Sequence, residues 1–168
     1  MTGKTENDKI NYRWGTVDDV EVFVDFRIRF LNELGERSGR HPKPERLVAL
    51  KKNLQEYFSE AIVSKDFRFL LAEHHKKIVG TGVLVVWRRP PRYGGLESGK
   101  LGYILNLYTV PEARRNGICT KMLHELIREA KTLGLKHLHL HASEDGNRIY
   151  RKAGFASPEQ NELELTLE

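Results

Sequence analysis

The sequence predicts an α+β fold in which a mixed, mostly antiparallel central sheet carries helices on both faces and contains one parallel βαβ crossover. Apolar residues recur at helical spacing over residues 20–34 and 45–62, which indicates two early helices. The period then changes to two, or to unbroken apolar runs, over residues 67–110. After that, strands and helices alternate to the end of the chain. Such alternation is typical of a parallel crossover.

The helical half begins at a capping box, Thr16-Val-Asp-Asp19, in which Asp19 takes the place that Glu or Gln usually holds. A strand is expected before it. The first helix is expected to end at Gly35, a residue type that often follows a helix. Pro44 is suited to the first turn of the second helix, which runs to about residue 62. A polar segment, GERSGRHPKP, joins the two helices.

The sheet half starts with an antiparallel pair over residues 67–73 and 78–87, which turns at the polar sequence HHKK. The loop RRPPRYGG, either a solvated edge or a substrate rim, leads to a strand at residues 101–110. A strongly amphipathic helix is expected at 117–133, with Gly134 after its end. A strand at 135–142, a short helix at 146–153 and a terminal strand at 162–167 complete the prediction.

Composition limits the classes of function. The 168 residues predict a single domain over residues 11–168, preceded by a disordered polar N-terminus at 1–10. The single cysteine rules out an intramolecular disulfide, and the absence of a long apolar run or an apolar leader predicts a cytoplasmic protein without a membrane span. The net charge of +5 suggests anionic partners. Without a basic tract interleaved with aromatic residues, however, nucleic acid is not the partner we expect.

An anion site is predicted where the strand ending at Val110 passes through a loop into the next helix. That geometry directs free backbone N–H groups and the positive end of the helix dipole at one point. Arg114, Arg115 and Thr120 add donors, and Gly117 lets a ligand approach the backbone. An ordinary loop with a solvated arginine pair is the alternative. Neither the GxxxxGK[ST] run nor the three-glycine dinucleotide fingerprint is present.

Residues 114–119, RRNGIC, resemble the acetyl-CoA loop of the GCN5-related N-acetyltransferases (GNAT), whose pattern is Arg or Gln, two residues, Gly, one residue, then Gly or Ala. Before the loop, YILNLYTVPE is similar to the fourth strand of that family, and IYRKAGF at 149–155 is similar to its LYxxxGF signature. The resemblance extends from Leu101 to Phe155. Two motifs at the right separation are more specific than either alone.

The resemblance implies an acetyl-CoA-dependent N-acetyltransferase that acetylates a primary amine on a small molecule or peptide by direct attack in a ternary complex. It implies no metal, nucleic acid or membrane partner, and a homodimer is one assembly it allows. It assigns Tyr150 to protonate the departing CoA thiolate, a donor matched to a thiol leaving group. The cofactor contacts it implies are the end of the strand, the loop amides with their arginines, and one serine: Leu107, Tyr108, Thr109, Val110, Arg114, Arg115, Asn116, Gly117, Ile118, Cys119, Thr120 and Ser143.

Two positions depart from the family pattern. Ser143 stands where many members have a cofactor-binding Asn, and Asn106 stands where some have a catalytic Glu. An amide cannot act as a base, so Asn106 is assigned to the substrate side. The amine is then deprotonated through water, by another group such as Glu73 or a histidine, or before it binds, and these alternatives stay open. These departures support an alternative, a non-catalytic acyl-CoA-binding or sensing module on the same fold. A nucleic-acid binder driven by net charge is a third hypothesis.

Other reactive side chains have two interpretations each. Cys119 is favoured as a small loop residue over a nucleophile, although a helix N-terminus can lower a thiol pKa. The alternating His137, His139 and His141 are favoured as a packed or solvated face over a shared metal site. Tyr150 is favoured as an acid over a buried tyrosine that packs beside Phe155.

Overall fold

The computed structural model describes residues 9–39, 43–158 and 165. In chain order the elements are β1 (Asn11–Trp14), α1 (Val20–Arg37), α2 (Pro44–Ala61), β2 (Phe67–His74), β3 (Lys77–Arg88), β4 (Lys100–Thr109), α3 (Ile118–Thr132), β5 (Leu138–His139) and α4 (Glu144–Lys152). The five strands form one sheet in the order β1-β2-β3-β4-β5. Neighbouring strands are antiparallel except β4 and β5, which are parallel. The predicted α+β fold with one parallel crossover is confirmed.

The sheet separates two layers of helices. On one face Phe23 of α1 and Phe58 of α2 pack with Phe69 and Val83 of the sheet. On the other face the apolar stripe of α3 packs on the sheet residues that alternate with these, such as Leu70 and Leu84, and Tyr150 of α4 joins the same cluster. Successive residues of a strand point to opposite faces, so one strand serves both layers.

A β-bulge interrupts β4 near its end. The register with β3 shifts between the pair Val83–Leu105 and the pair Thr81–Tyr108, so two residues of β4 lie opposite one of β3. Asn106, in this bulge, has a φ of 51°, a left-handed conformation that asparagine tolerates better than most residues. A bulge bends the strand that carries it. Only two pairs, Gly102–Leu138 and Tyr103–His139, join β4 to β5 before this point.

Several predicted boundaries are wrong. The first helix continues past Gly35 to Arg37, because Arg37 pairs with Glu33 one turn earlier at 2.8 Å, and Gly39 supplies the left-handed residue after the helix. The strand predicted at 135–142 contains only two ladder residues, since β4 bends away beyond Tyr103. The last helix starts two residues early, at Glu144.

The remaining local predictions have mixed outcomes. Asp19 accepts a hydrogen bond from the Thr16 amide at 2.9 Å, as a capping box requires, although the first turn is a 3₁₀ helix over Val17–Asp19. The HHKK segment turns as predicted, with His75 and Lys76 at positive φ. Residues 1–8, within the predicted disordered start, lie outside the described residues, as does the terminal strand predicted at 162–167 apart from Leu165. Among the described residues, no helix has the length and apolar character to cross a bilayer.

Candidate functional site

The loop between β4 and α3 presents a row of free backbone amides. A 3₁₀ turn over Pro111–Ala113 follows β4, and α3 then begins with Gly117 at its N-cap, where φ is 75°. The amides from Arg115 to Thr120 have no hydrogen-bond acceptor among the described residues, whereas that of Lys121 donates to the Gly117 carbonyl at 2.9 Å. The Asn116 side chain holds the loop by donating to the carbonyls of Ala113 and Arg114. This loop can bind an anion.

A cavity of about 320 Å³ opens in front of these amides, between α1, the end of β4, α3 and α4. It gathers most of the residues that the sequence assigned to the cofactor and the acid: Leu107, Tyr108, Thr109, Arg114, Arg115, Gly117, Ile118, Cys119, Thr120, Ser143 and Tyr150. Val110 and Asn116 are not among its lining residues. Val110 is buried in a cluster with Phe26 and Tyr108. The motif residues therefore meet in one place, although they are separated by more than forty positions in the sequence.

The floor of the cavity is the open edge of β4. This strand continues to Thr109, but its pairing with β5 ends at Tyr103, so the edge beyond Tyr103 has no neighbouring strand among the described residues. The Thr109 hydroxyl is buried and has no hydrogen-bond partner in the described part of the chain. An extended ligand with amide groups fits such an edge because it can pair as a strand would. A buried polar atom without a partner costs free energy until a ligand satisfies it.

An ion-pair network borders the cavity. Glu33 of α1 accepts a hydrogen bond from Arg114 at 2.5 Å and pairs with Arg37, which in turn reaches Asp145 of α4 at 2.5 Å. Arg114 also donates to the Thr109 carbonyl at 2.9 Å and lies over the Tyr108 ring. The hydrogen bond from Arg114 lowers the pKa of Glu33. The network thus ties α1 to both the anion loop and α4.

Sequence reasoning missed the α1 side of the cavity, formed by Phe30, Glu33, Leu34 and Arg37, and also missed Asp145. The spacing of Glu33 and Arg37 was a signal for a helical ion pair. It does not reveal which element the pair faces, because nothing in the sequence of α1 specifies its contact with the loop after β4. Ser143, expected to bind the cofactor, is the N-cap of α4, where its hydroxyl accepts from the Gly146 amide at 3.3 Å.

Tyr150 and Cys119 lie next to the free amides but remain protonated. Burial raises the pKa of the Tyr150 phenol to about 12 and that of the Cys119 thiol to about 11. Desolvation disfavours the charged form of each group. Tyr150 can therefore donate a proton at neutral pH, and it also packs edge-on against Phe155 with ring centres 6.2 Å apart. Cys119 lacks the thiolate character that a nucleophile needs.

The candidate substrate and base residues are in different places. Asn106 is buried beside the bulge, where its amide oxygen accepts from Arg27 at 3.3 Å. It does not line the cavity. Glu73 pairs with Arg13 at 3.3 Å on β2, two strands from β4, so it is remote from the anion loop.

The three histidines do not share a centre. The ring of His137 contacts the Gly94 carbonyl at 2.8 Å, whereas that of His141 contacts the Tyr103 hydroxyl at 2.7 Å. Among the described residues there is no group of three or more His, Cys, Asp or Glu side chains that could hold a metal ion.

The family profile described as "Acetyltransferase (GNAT) family" matches residues 29–155 of the chain. The chain belongs to the GNAT acetyltransferase family. The match includes the second half of α1, the anion loop and α4, so the residues around the cavity fall within the shared domain.

Solved GNAT structures share the fold. A predicted acetyltransferase from Clostridium acetobutylicum, crystallised with acetyl-CoA, is 32% identical, with a TM-score of 0.83 over 94% of this chain and 96% of its own. A GCN5-related N-acetyltransferase from Ralstonia eutropha JMP134 is 22% identical, with a TM-score of 0.80 over 94% and 99%. A curated relative, the chloroplastic GCN5-related N-acetyltransferase 6 of Arabidopsis thaliana, is 31% identical over 70 residues. That match spans 40% of this chain and only 24% of the relative's length.

Proposed function

We propose that this GNAT protein is an acetyl-CoA-dependent N-acetyltransferase that acetylates a primary amine. The observation that carries the proposal is the cavity itself, where free amides of residues 115–120, the open edge of β4 and the Tyr150 hydroxyl come together. Each of these suits a different part of one ligand. The relative from Clostridium acetobutylicum, crystallised with acetyl-CoA, supports the same ligand here.

The residues present fit acetyl-CoA in three ways. The amides from Arg115 to Thr120, with Arg115 beside them, suit the pyrophosphate, because N–H groups at a helix N-terminus favour negative charge. The Gly117 backbone is open: a Cβ there would meet no atom within 4 Å. The open edge at residues 107–109, with the Thr109 hydroxyl, suits the amides of the pantetheine arm. Arg114 holds this wall of the cavity in place, because it donates hydrogen bonds to Glu33 and to the Thr109 carbonyl.

Acetyl-CoA supplies the activated acetyl group as a thioester. In our proposal the protein holds it against β4 with the carbonyl directed at backbone amides of the open edge, which stabilise negative charge that develops on the oxygen. The neutral amine attacks the carbonyl directly while both substrates are bound, since binding them together removes most of the entropic cost of the encounter. Tyr150 then protonates the sulfur. Because its pKa is raised, the phenol is fully protonated before the reaction.

A thermal shift with acetyl-CoA, followed by a panel of amines read out as free CoA thiol and as acetylated product by mass spectrometry, tests the proposal. We expect a raised Tm with acetyl-CoA and product from at least one amine. A raised Tm without transfer to any amine would instead favour a non-catalytic acyl-CoA-binding module. If neither occurs, the proposed function is wrong. Salt-sensitive binding to duplex DNA without a response to acetyl-CoA would point to a nucleic-acid binder.

A further inference from the structure

We propose that His141, held by the Tyr103 hydroxyl, is the general base that removes the proton from the acceptor amine. The inference rests on the proposed function and adds the group that the family pattern leaves missing at Asn106. It depends on three features of the structure: a fixed imidazole, a second cavity that Tyr150 also lines, and the pairing or protonation of Glu33, Glu73 and Cys119, the other groups considered as the base.

The imidazole is fixed by a stack of aromatic rings. Its Nδ1 atom lies 2.7 Å from the Tyr103 hydroxyl, and the two rings meet edge to face with centres 5.5 Å apart. Tyr103 is itself buried and stacks on Trp87, with ring centres 4.4 Å apart and an angle of 25°. When Nδ1–H donates to the Tyr103 oxygen, the lone pair of Nε2 is left to accept a proton. A base oriented by a second group is a recurring arrangement in acyl transfer.

The second cavity, a groove of about 1030 Å³, gives the acceptor a route to this imidazole. Trp87, Tyr103 and His141 line it, and so does Tyr150, which also lines the cofactor cavity. Tyr150 is thus a residue that both cavities share. In our proposal, an acceptor in the groove has the base on its own side and meets the acid at Tyr150.

The groove is lined mainly by basic and apolar side chains. Its basic lining residues are His137 and His139 of the β5 segment, Arg89 and Arg92 before β4, and Arg151 of α4. No carboxylate belongs to the lining among the described residues.

Other titratable groups are poor bases. Arg114 lowers the pKa of Glu33, and Glu33 is already occupied by two arginines. Glu73 is paired with Arg13 on β2. The raised pKa of Cys119 keeps the thiol protonated. His141 is fixed by an uncharged partner, the Tyr103 hydroxyl, and it lines the same groove as Tyr150.

The proton balance is complete with these two residues. The amine lone pair forms the N–C bond to the acetyl carbon, and the C–S electron pair leaves on sulfur. Before this attack, Nε2 of His141 takes a proton from the ammonium form of the amine and later releases it to solvent. The Tyr150 hydroxyl gives its proton to the sulfur, and water passes the surplus N–H proton to the Tyr150 phenolate, which restores the phenol. The products are an amide, CoA thiol and one proton released to solvent, with no other reactant.

The variant His141→Asn tests the role, because an asparagine amide can still bond the Tyr103 hydroxyl but cannot take the proton. We expect kcat/KM for a basic amine such as benzylamine to fall about 100-fold. Hydroxylamine, which is largely unprotonated at neutral pH, should lose much less. Tyr103→Phe, which frees the imidazole to rotate, should cost about tenfold with benzylamine.

The control is His124→Gln, an exposed histidine of α3 that lines neither cavity. It should match the wild type, and all variants should keep the wild-type thermal shift with acetyl-CoA. If the wild type transfers acetyl to benzylamine and His141→Asn retains its rate, the base assignment is wrong while the proposed function stands. An equal loss with hydroxylamine would also overturn it. Failure of the wild type with every amine would overturn the proposed function and this inference together.

Discussion

Replacing Gly117 by Ala separates the folding role of the anion loop from its binding role. Gly117 has a φ of 75°, and a Cβ added there would meet no protein atom within 4 Å. The substitution therefore destabilises the folded protein only because alanine must adopt a left-handed backbone there, at a cost of about 1 to 2 kcal/mol. At about 2 to 4 °C per kcal/mol for a domain of this size, Tm should fall by several degrees. Gly117 lines the cavity in front of the free amides, however, so an added methyl group should limit the close approach of the pyrophosphate.

Gly134 is a matched control at the opposite end of α3. Its φ is 72°, and a Cβ there would likewise meet nothing within 4 Å. Gly134→Ala should therefore cost similar stability and leave the affinity for CoA unchanged, whereas Gly117→Ala should weaken it at least tenfold, or about 1.4 kcal/mol. Isothermal titration with CoA and a melting curve for each variant measure both quantities. Equal affinities in the two variants would refute the assignment of the loop to the pyrophosphate.

Three further outcomes are expected. Tyr150→Phe should lower kcat about 100-fold while the affinity for acetyl-CoA stays within about twofold, and full activity would remove Tyr150 from the mechanism. Cys119→Ala should retain activity, and iodoacetamide should label the wild-type thiol slowly at pH 8, because burial raises its pKa to about 11; rapid labelling would contradict this environment. Arg13 lowers the pKa of Asp19, so the pair stabilises the fold above the unfolded carboxyl pKa and loses that contribution as the pH falls through the lower folded value. Urea unfolding should show Asp19→Asn about 1 to 2 kcal/mol less stable at neutral pH, with a flatter acid limb than the wild type.

Local patterns were sufficient for the order and type of most elements. The change of period at Phe67 marks the start of the sheet, and the apolar stripe of α3 specifies both its length and its buried face. The ends of the helices were harder to predict, because the residue at which a helix ends depends on contacts that its side chains make outside the local pattern. Gly35 lies inside α1, where the ion pair between Glu33 and Arg37 and the left-handed Gly39 extend the helix.

The anion loop was predictable because the stretch RRNGIC itself contains the arginines and the glycine that such a loop uses. The opposite wall of the cavity was not predictable. Glu33 and Arg114 are far apart in sequence and meet only because α1 packs over the end of β4. The length of β5 was overestimated for the same reason. Alternating Leu138 and Leu140 indicate an extended segment, whereas the number of ladder pairs depends on the bulge at Asn106 in a different strand.

Because only two residue pairs join β4 and β5 among the described residues, the stability of this part of the sheet depends on whether a ligand binds in the cavity beside β4. Tyr150 lies in α4, directly after β5, yet among the described residues only two ladder pairs, Gly102–Leu138 and Tyr103–His139, join β5 to β4. A ligand that binds only the folded state stabilises it by about 2.7 kcal/mol at a hundredfold excess over Kd. Hydrogen exchange in α4 should therefore slow when acetyl-CoA is added, much more than in β2 or β3. If acetyl-CoA binds as proposed, it would occupy the place of a missing neighbouring strand, and the protein would be most ordered in that complex.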